Sequence, residues 1–94
     1  MLRELVITEC PRDGIQGLPV FIPTQTKADY INALLKVGFD IIDFGSFVSA
    51  KAIPQLKDSA EVLRKLDFSG SKTKLMAIIG NQKGAESAAS FEEI

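Results

Sequence analysis

Short apolar runs recur along the chain about every 35 residues, each followed by turn-forming residues and then a stretch with helical spacing. The runs are Leu5-Val6-Ile7-Thr8, Ile41-Ile42-Asp43-Phe44 and Leu75-Met76-Ala77-Ile78-Ile79. Near-continuous apolar runs of this length, closed by Cys10-Pro11, Gly45 and Gly80-Asn81, read as strands covered on both faces. Between them lie helix candidates. One runs through Lys27–Val37, with Thr24 or Thr26 as its cap, Tyr30, Ile31, Leu34 and Leu35 on one face, and Gly38 as its stop. A second runs from Asp58 or Ser59 to Leu66, and a third begins at Gly84. The segments Gly14–Pro23 and Ser46–Lys57 read as long loops.

The order β-α-β-α-β-α predicts a parallel sheet with helical crossovers, an α/β fold. The long loops follow the strands and carry the unusual residues, and in parallel α/β folds function sits at the carboxyl ends of strands. A closed barrel needs eight βα units and typically about 250 residues. Three units make either a small open sheet with unprotected edges or the amino-terminal part of something longer. The segment 84–94, which lacks a clear stop signal, favours the second.

Composition narrows the chemistry. The chain has 94 residues, 46% of them hydrophobic and 24% charged, which is globular rather than disordered. Eleven basic against twelve acidic side chains give a net charge of -1, so no electrostatic argument points to nucleic acid or an anionic membrane. There is no histidine and one cysteine, which excludes a His-based triad, a two-His metal site and an internal disulfide within this chain. No apolar run approaches the length of a membrane span. The start, Met1-Leu2-Arg3-Glu4, meets charge at once and lacks a signal-peptide core. The expectation is a cytoplasmic protein.

Pro11-Arg12-Asp13-Gly14-Ile15-Gln16 directly follows the first strand. Pro, Asp and Gly are turn formers, so a tight turn is one reading. The other is a site: Asp13 offers oxygen to a hard divalent cation, Arg12 offers a fork of donors to a developing oxyanion, and Gln16 can orient either. Asp43 sits within an apolar strand, where a carboxylate is costly unless paired. It either caps a turn or pairs with a basic neighbour, and Arg12 on the adjacent strand end is the partner expected. Ser46 and Ser49 either bind substrate or cap the loop backbone, the capping role fitting Ser49 better. Lys51 either holds an anion or is solvated, and Asn81 either faces the same mouth or caps the helix after it. Cys10 is expected as a packed thiol in the wall of the site, since nothing evident lowers its pKa. Gly80-Asn81-Gln82-Lys83-Gly84 satisfies neither the P-loop nor the dinucleotide pattern.

The hexamer from Pro11 to Gln16, Ser46-Phe47-Val48-Ser49-Ala50-Lys51, Pro54-Gln55 and Glu61-Val62-Leu63, with the Asn81…Lys83-Gly84 stretch, resemble the 3-hydroxy-3-methylglutaryl-CoA lyases in order and spacing. The resemblance covers nearly the whole chain. It implies a metallolyase superfamily with a TIM-barrel catalytic domain, of which residues 1–94 would be the amino-terminal part and the first three βα units. It further implies cleavage of 3-hydroxy-3-methylglutaryl-CoA to acetoacetate and acetyl-CoA by a retro-Claisen route, with Mg²⁺ or Mn²⁺ as cofactor and an acyl-CoA as substrate. The full-length protein would be a homo-oligomer.

By the same resemblance Asp13 is a metal ligand and helps receive the hydroxyl proton. Arg12 polarises the thioester carbonyl and stabilises the enolate, Gln16 assists substrate or Arg12 positioning, and Ser46 lines the pocket. Asp43 stands where the family commonly has Glu; it is one methylene shorter and keeps the charge. The family's His-x-His ligands and its catalytic loop cysteine have no counterpart here. The isolated 94 residues are therefore expected to be inactive, and, because burying both faces of the sheet needs further strands, molten or self-associated. Two other readings stand beside this one: a Claisen-type condensing enzyme of the same superfamily, like isopropylmalate or homocitrate synthase, and a non-catalytic truncated module.

Overall fold

The structure, a computed structural model, describes residues 4–94; the charged start at Met1-Leu2-Arg3 lies outside them. The chain runs β1 (Thr8–Glu9), α1 (Pro11–Gln16), α2 (Thr24–Leu35), β2 (Ile41–Ser46), a 3-10 turn (Pro54–Leu56), α3 (Ser59–Arg64), β3 (Lys74–Ile78) and α4 (Gln82–Ala89). The strands form one parallel sheet in the order β1-β2-β3. The parallel α/β expectation is therefore met.

The core lies between the sheet and helices α2 and α3. Ala28, Ile31 and Leu35 from α2, Val62 and Leu63 from α3, Ile42 and Phe44 from β2, and Leu75 from β3 make one buried cluster. Spacing of three and four residues puts the α2 members on one stripe. That stripe is not quite the one expected: Lys27 and Ala28 are inside, whereas Tyr30 is 48% exposed. On β2 the two-residue strand period turns Ile42 and Phe44 to the helices and Asp43 to the opposite face. The register slips between Asp43 and Gly45, which pair with Met76 and Ala77, so Phe44 is an extra residue in the ladder. Such a bulge bends the strand and re-aims its end. Beyond it Gly45 lies against Ser59, where an added Cβ would stand 2.6 Å from Oγ and 3.0 Å from Cβ.

Several boundaries differ from the expectation. The first run is not a buried strand: Leu5, Val6 and Ile7 are 79%, 59% and 49% exposed, and only Thr8–Glu9 joins the sheet as a strand. Among the described residues β1 is an edge strand, so nothing covers the apolar side chains before it. Pro11–Gln16 is a helix rather than a turn or loop, with Pro11 in its first turn where the missing N–H costs nothing. Neither expected threonine caps α2; Pro23 occupies the cap position, and the Thr24 hydroxyl donates to Asp58 Oδ2 at 2.6 Å. Asp58 precedes α3 but makes no side-chain cap bond, because its carboxylate is taken by Thr24 and Lys27. Asn81 does cap its helix, accepting the Gly84 N–H at 2.8 Å.

Two expected outcomes follow from this packing. An added Cβ at Gly84 would stand 2.7 Å from the Phe47 carbonyl oxygen, a backbone atom that cannot swing away. Gly84→Ala should lower stability by about 1–3 kcal/mol. Gly80→Ala, which meets only Val48 methyls at 3.5 Å or more, should change it by less than about 0.5 kcal/mol; paired urea midpoints check both. Secondly, Leu5, Val6, Ile7, Met76 and Ile79 leave apolar surface open on and beside the sheet. At micromolar concentration the isolated chain should sediment as species heavier than its 10.2 kDa monomer. A monomer with a sharp two-state melt would contradict that.

Candidate active site at the strand ends

The carboxyl ends of β1 and β2 bring three of the expected residues together. Because α1 starts directly after β1, its first turn lies over the end of β2. Arg12 there reaches Asp43 with the Nε/Nη2 edge of its guanidinium. Nε donates to Oδ1 at 3.3 Å and to Oδ2 at 3.2 Å, and Nη2 donates to Oδ2 at 2.8 Å. Four residues along the helix, on the same face, Gln16 Oε1 accepts from Nη1 at 3.0 Å. The Asp43 side chain is 3% exposed and that of Arg12 16%. The hydrogen bond to Asp43 is the largest influence holding the guanidinium pKa above its ordinary value, against partial burial, which works the other way.

A guanidinium carries five N–H groups. Nε–H, one on Nη2 and one on Nη1 are engaged, so two remain to present to a substrate oxygen. A fixed, charged pair of donors at a strand end is suited to an oxyanion. Asp13 lies one helical position on and points outward; its side chain is 80% exposed, with Oδ1 3.9 Å from Arg12 Nη1. It can offer oxygen to a cation. Among the described residues, however, no three His, Cys, Asp or Glu side chains gather into a metal site. These residues by themselves therefore do not fit a complete Mg²⁺ or Mn²⁺ centre.

Ser46 ends β2 and is buried, with its hydroxyl accepting the Val48 N–H at 3.0 Å and its own N–H donating to Ser59 Oγ at 2.9 Å. It lines a cleft of about 230 Å³ with Phe47, Val48, Ala50, Lys57 and Ser59, and Arg12 does not line that cleft. Ser49 likewise caps its loop, accepting the Lys51 N–H at 3.2 Å. Lys51 is exposed. Cys10 is exposed and not a packed thiol of the wall; it sits past the last paired residue of β1, its N–H donating to Glu9 Oε1.

One polar cluster near this mouth lies outside the residues the sequence singles out. Lys27 is 3% exposed, with Nζ 2.6 Å from Asp58 Oδ1 and 2.5 Å from the Gln55 carbonyl oxygen. It also stands 4.1 Å over the Phe21 ring. The signal was present: Lys27 precedes Ile31 and Leu35 by four and eight residues, so the apolar stripe of α2 carries a lysine into the core, where it needs an anion.

No protein-family model matches the chain. Individual proteins do. The hydroxymethylglutaryl-CoA lyase of Bacillus subtilis is 41% identical over 87 residues, which is 92% of this chain and 29% of that enzyme. The homologues of this chain are hydroxymethylglutaryl-CoA lyases. The mitochondrial lyase of Rattus norvegicus is 34% identical over 92% of the chain and 26% of that enzyme. Among solved structures, an HMG-CoA lyase from Acinetobacter baumannii, in complex with coenzyme A and 3-methylmalate, superposes with a TM-score of 0.85 at 44% identity. It is matched by 92% of this chain, which covers 28% of it. The Bacillus subtilis lyase superposes at 0.84 with 38% identity, over 92% of this chain and 29% of that one. The chain thus spans under a third of the lyases it matches, corresponding to their amino-terminal part. Those lyases are TIM barrels, so the sheet and its helices correspond to the first βα units of such a barrel.

Removing the charge of Asp43 while keeping its shape tests the pair. In Asp43→Asn the largely buried Arg12 guanidinium loses its counter-charge, and stability should fall by about 3 kcal/mol. A urea midpoint unchanged from the parent would show that the pair is solvated and carries little.

Proposed function

We propose that this chain supplies the oxyanion-stabilising part of an HMG-CoA lyase, with Arg12, Asp13, Gln16 and Asp43 as its site residues and residues 1–94 as the first part of one barrel domain. The observation that carries the reading is the Arg12–Asp43 pair, which fixes a guanidinium with two free N–H groups at the strand ends. In the reaction a base takes the proton of the substrate's tertiary hydroxyl. The C–O bond becomes the ketone of acetoacetate as the carbon–carbon bond breaks. The electron pair passes to the acetyl-CoA unit as an enolate, which is then protonated to acetyl-CoA. Arg12 donates to the thioester oxygen as negative charge grows there. Asp43 keeps the guanidinium oriented, and Gln16 holds its Nη1. Ser46, through its bond to Val48, shapes the loop beside the substrate.

A divalent cation, Mg²⁺ or Mn²⁺, supplies Lewis-acid chemistry when bound. Asp13 is the residue of this chain that would offer it an oxygen, and the rest of the coordination would come from beyond residue 94. The acyl-CoA class of substrate is supported by the related lyase solved with coenzyme A. Among the described residues no helix is long and apolar enough to cross a membrane. The related lyases include ones named as cytoplasmic and as mitochondrial, and we assign this chain to the cytoplasm. Cleavage is preferred over condensation because the matched relatives are lyases.

A coupled assay of acetyl-CoA release from 3-hydroxy-3-methylglutaryl-CoA with Mg²⁺ or Mn²⁺ checks this. In the complete reading frame that carries these residues, Arg12→Ala should cost about 10²–10³ in kcat, and Asp13→Ala should also abolish most turnover. The isolated 94 residues should show none. Full activity in Arg12→Ala would overturn the reading, and activity in the isolated chain would refute the need for residues beyond it.

A further inference from the structure

Lys27 and Asp58 are buried charges that the proposed reaction does not use. Their bonds, however, lead back to α1. Asp58 is held by Lys27 at 2.6 Å and by the Thr24 hydroxyl at 2.6 Å, which ties the start of α3 to the first turn of α2. A second contact of the Lys27 ammonium is the carbonyl oxygen of Gln55, in the middle of the 3-10 turn. The Gln55 side chain in turn donates through Nε2 to the Leu18 carbonyl oxygen at 2.9 Å. Leu18 stands two residues past α1, after its C-cap Gly17, and its N–H donates to the Ile15 carbonyl oxygen at 3.1 Å, which ties it to the last turn of that helix.

Helix α1 is thus pinned at both ends. Arg12 in its first turn is held by Asp43, and Leu18, bonded back to Ile15 in its last turn, is held by Gln55, whose carbonyl oxygen accepts from Lys27. A six-residue helix has little stability of its own. A pinned far end limits how the short rod can pivot, and pivoting is what would swing Arg12 off Asp43. Packing alone gives no reason for charge here, because hydrophobic residues of similar volume often serve a buried position as well or better. What the ammonium adds is direction: it fixes where the Gln55 carbonyl points.

We propose that Lys27, Asp58 and Gln55 are positioning residues that set the orientation of the Arg12 guanidinium from the far end of α1. The proposal rests on Arg12 being the oxyanion-stabilising residue only for its bearing on catalysis; the orientation itself is read without turnover.

The test is NMR on the complete reading frame with ¹⁵N-labelled arginine, following exchange of the Arg12 Nε–H with water. The described chain and its start hold Arg3, Arg12 and Arg64, and the Arg12 signal is assigned by its loss in Arg12→Lys. Gln55→Ala removes one neutral hydrogen bond and leaves the ion pair in place. It should speed Arg12 Nε–H exchange about fivefold, and Lys27→Met should do so at least as strongly. Asn32→Ala is the control. It removes a comparable tie at the other end of the fold, where Asn32 bonds the Lys65 carbonyl and the Asp67 N–H. It should lower Tm yet leave Arg12 exchange within about twofold. Unchanged exchange in a folded Gln55→Ala protein would overturn the proposal, as would an equal change in Asn32→Ala. If Lys27→Met does not fold, Gln55→Ala decides alone. Retained lyase activity in Arg12→Ala would defeat the functional reading and leave this one standing.

Discussion

A carboxylate inside an apolar strand is the constraint around which this mouth is arranged. Asp43 follows Ile41-Ile42 and is almost wholly enclosed. Left alone, such a charge would cost several kcal/mol. Arg12 answers it from the neighbouring strand end, and that answer is possible only because the chain turns into α1 immediately after β1. The fold of the hexamer and its chemistry are therefore one fact. The helix presents Arg12 and Gln16 on one face toward Asp43 and leaves Asp13 facing outward. A guanidinium held on one edge by a carboxylate and on another by an amide keeps its remaining donors for a ligand.

Close backbone approaches hold the loop after β2. Gly45 passes Ser59, and Gly84 passes the Phe47 carbonyl, each with no room for a side chain. Ser59 Oγ accepts the Ser46 N–H and donates to Leu56, which joins the end of β2 to the start of α3. Phe47 packs on Phe44 and Phe91 with ring centroids 6.5 and 5.7 Å apart, so the loop base is tied to both the sheet and the segment after α4. The loop after β2 is long in sequence and short of freedom.

Much of this was legible beforehand. The second and third strands and the long helix are legible in their apolar runs and periods, and the Arg12–Asp43 pairing follows from the cost of burying a charge. Three features were hidden. The run Leu5–Ile7 is apolar, but apolarity reports what a strand is suited to bury, and no neighbour covers that edge among the described residues. Helix α1 is too short to show a period and is written in turn-forming residues; tertiary contacts hold it. In sequence Thr24 and Asp58 look like local caps, whereas their side chains bond each other across 34 residues. The roles of Asp13 and Ser46 came from resemblance, since one exposed carboxylate and one loop-capping hydroxyl do not announce a function.

The central claim is that Arg12 and Asp43 act as a single unit, and a double-mutant cycle measures that most directly. Stabilities of the parent, Arg12→Ala, Asp43→Ala and the double variant, taken from urea denaturation of the complete reading frame, give their coupling energy. A coupling of about 2 kcal/mol or more is predicted, in the upper range for contacting residues. A value below about 0.5 kcal/mol, as for a solvated surface pair, would contradict the account.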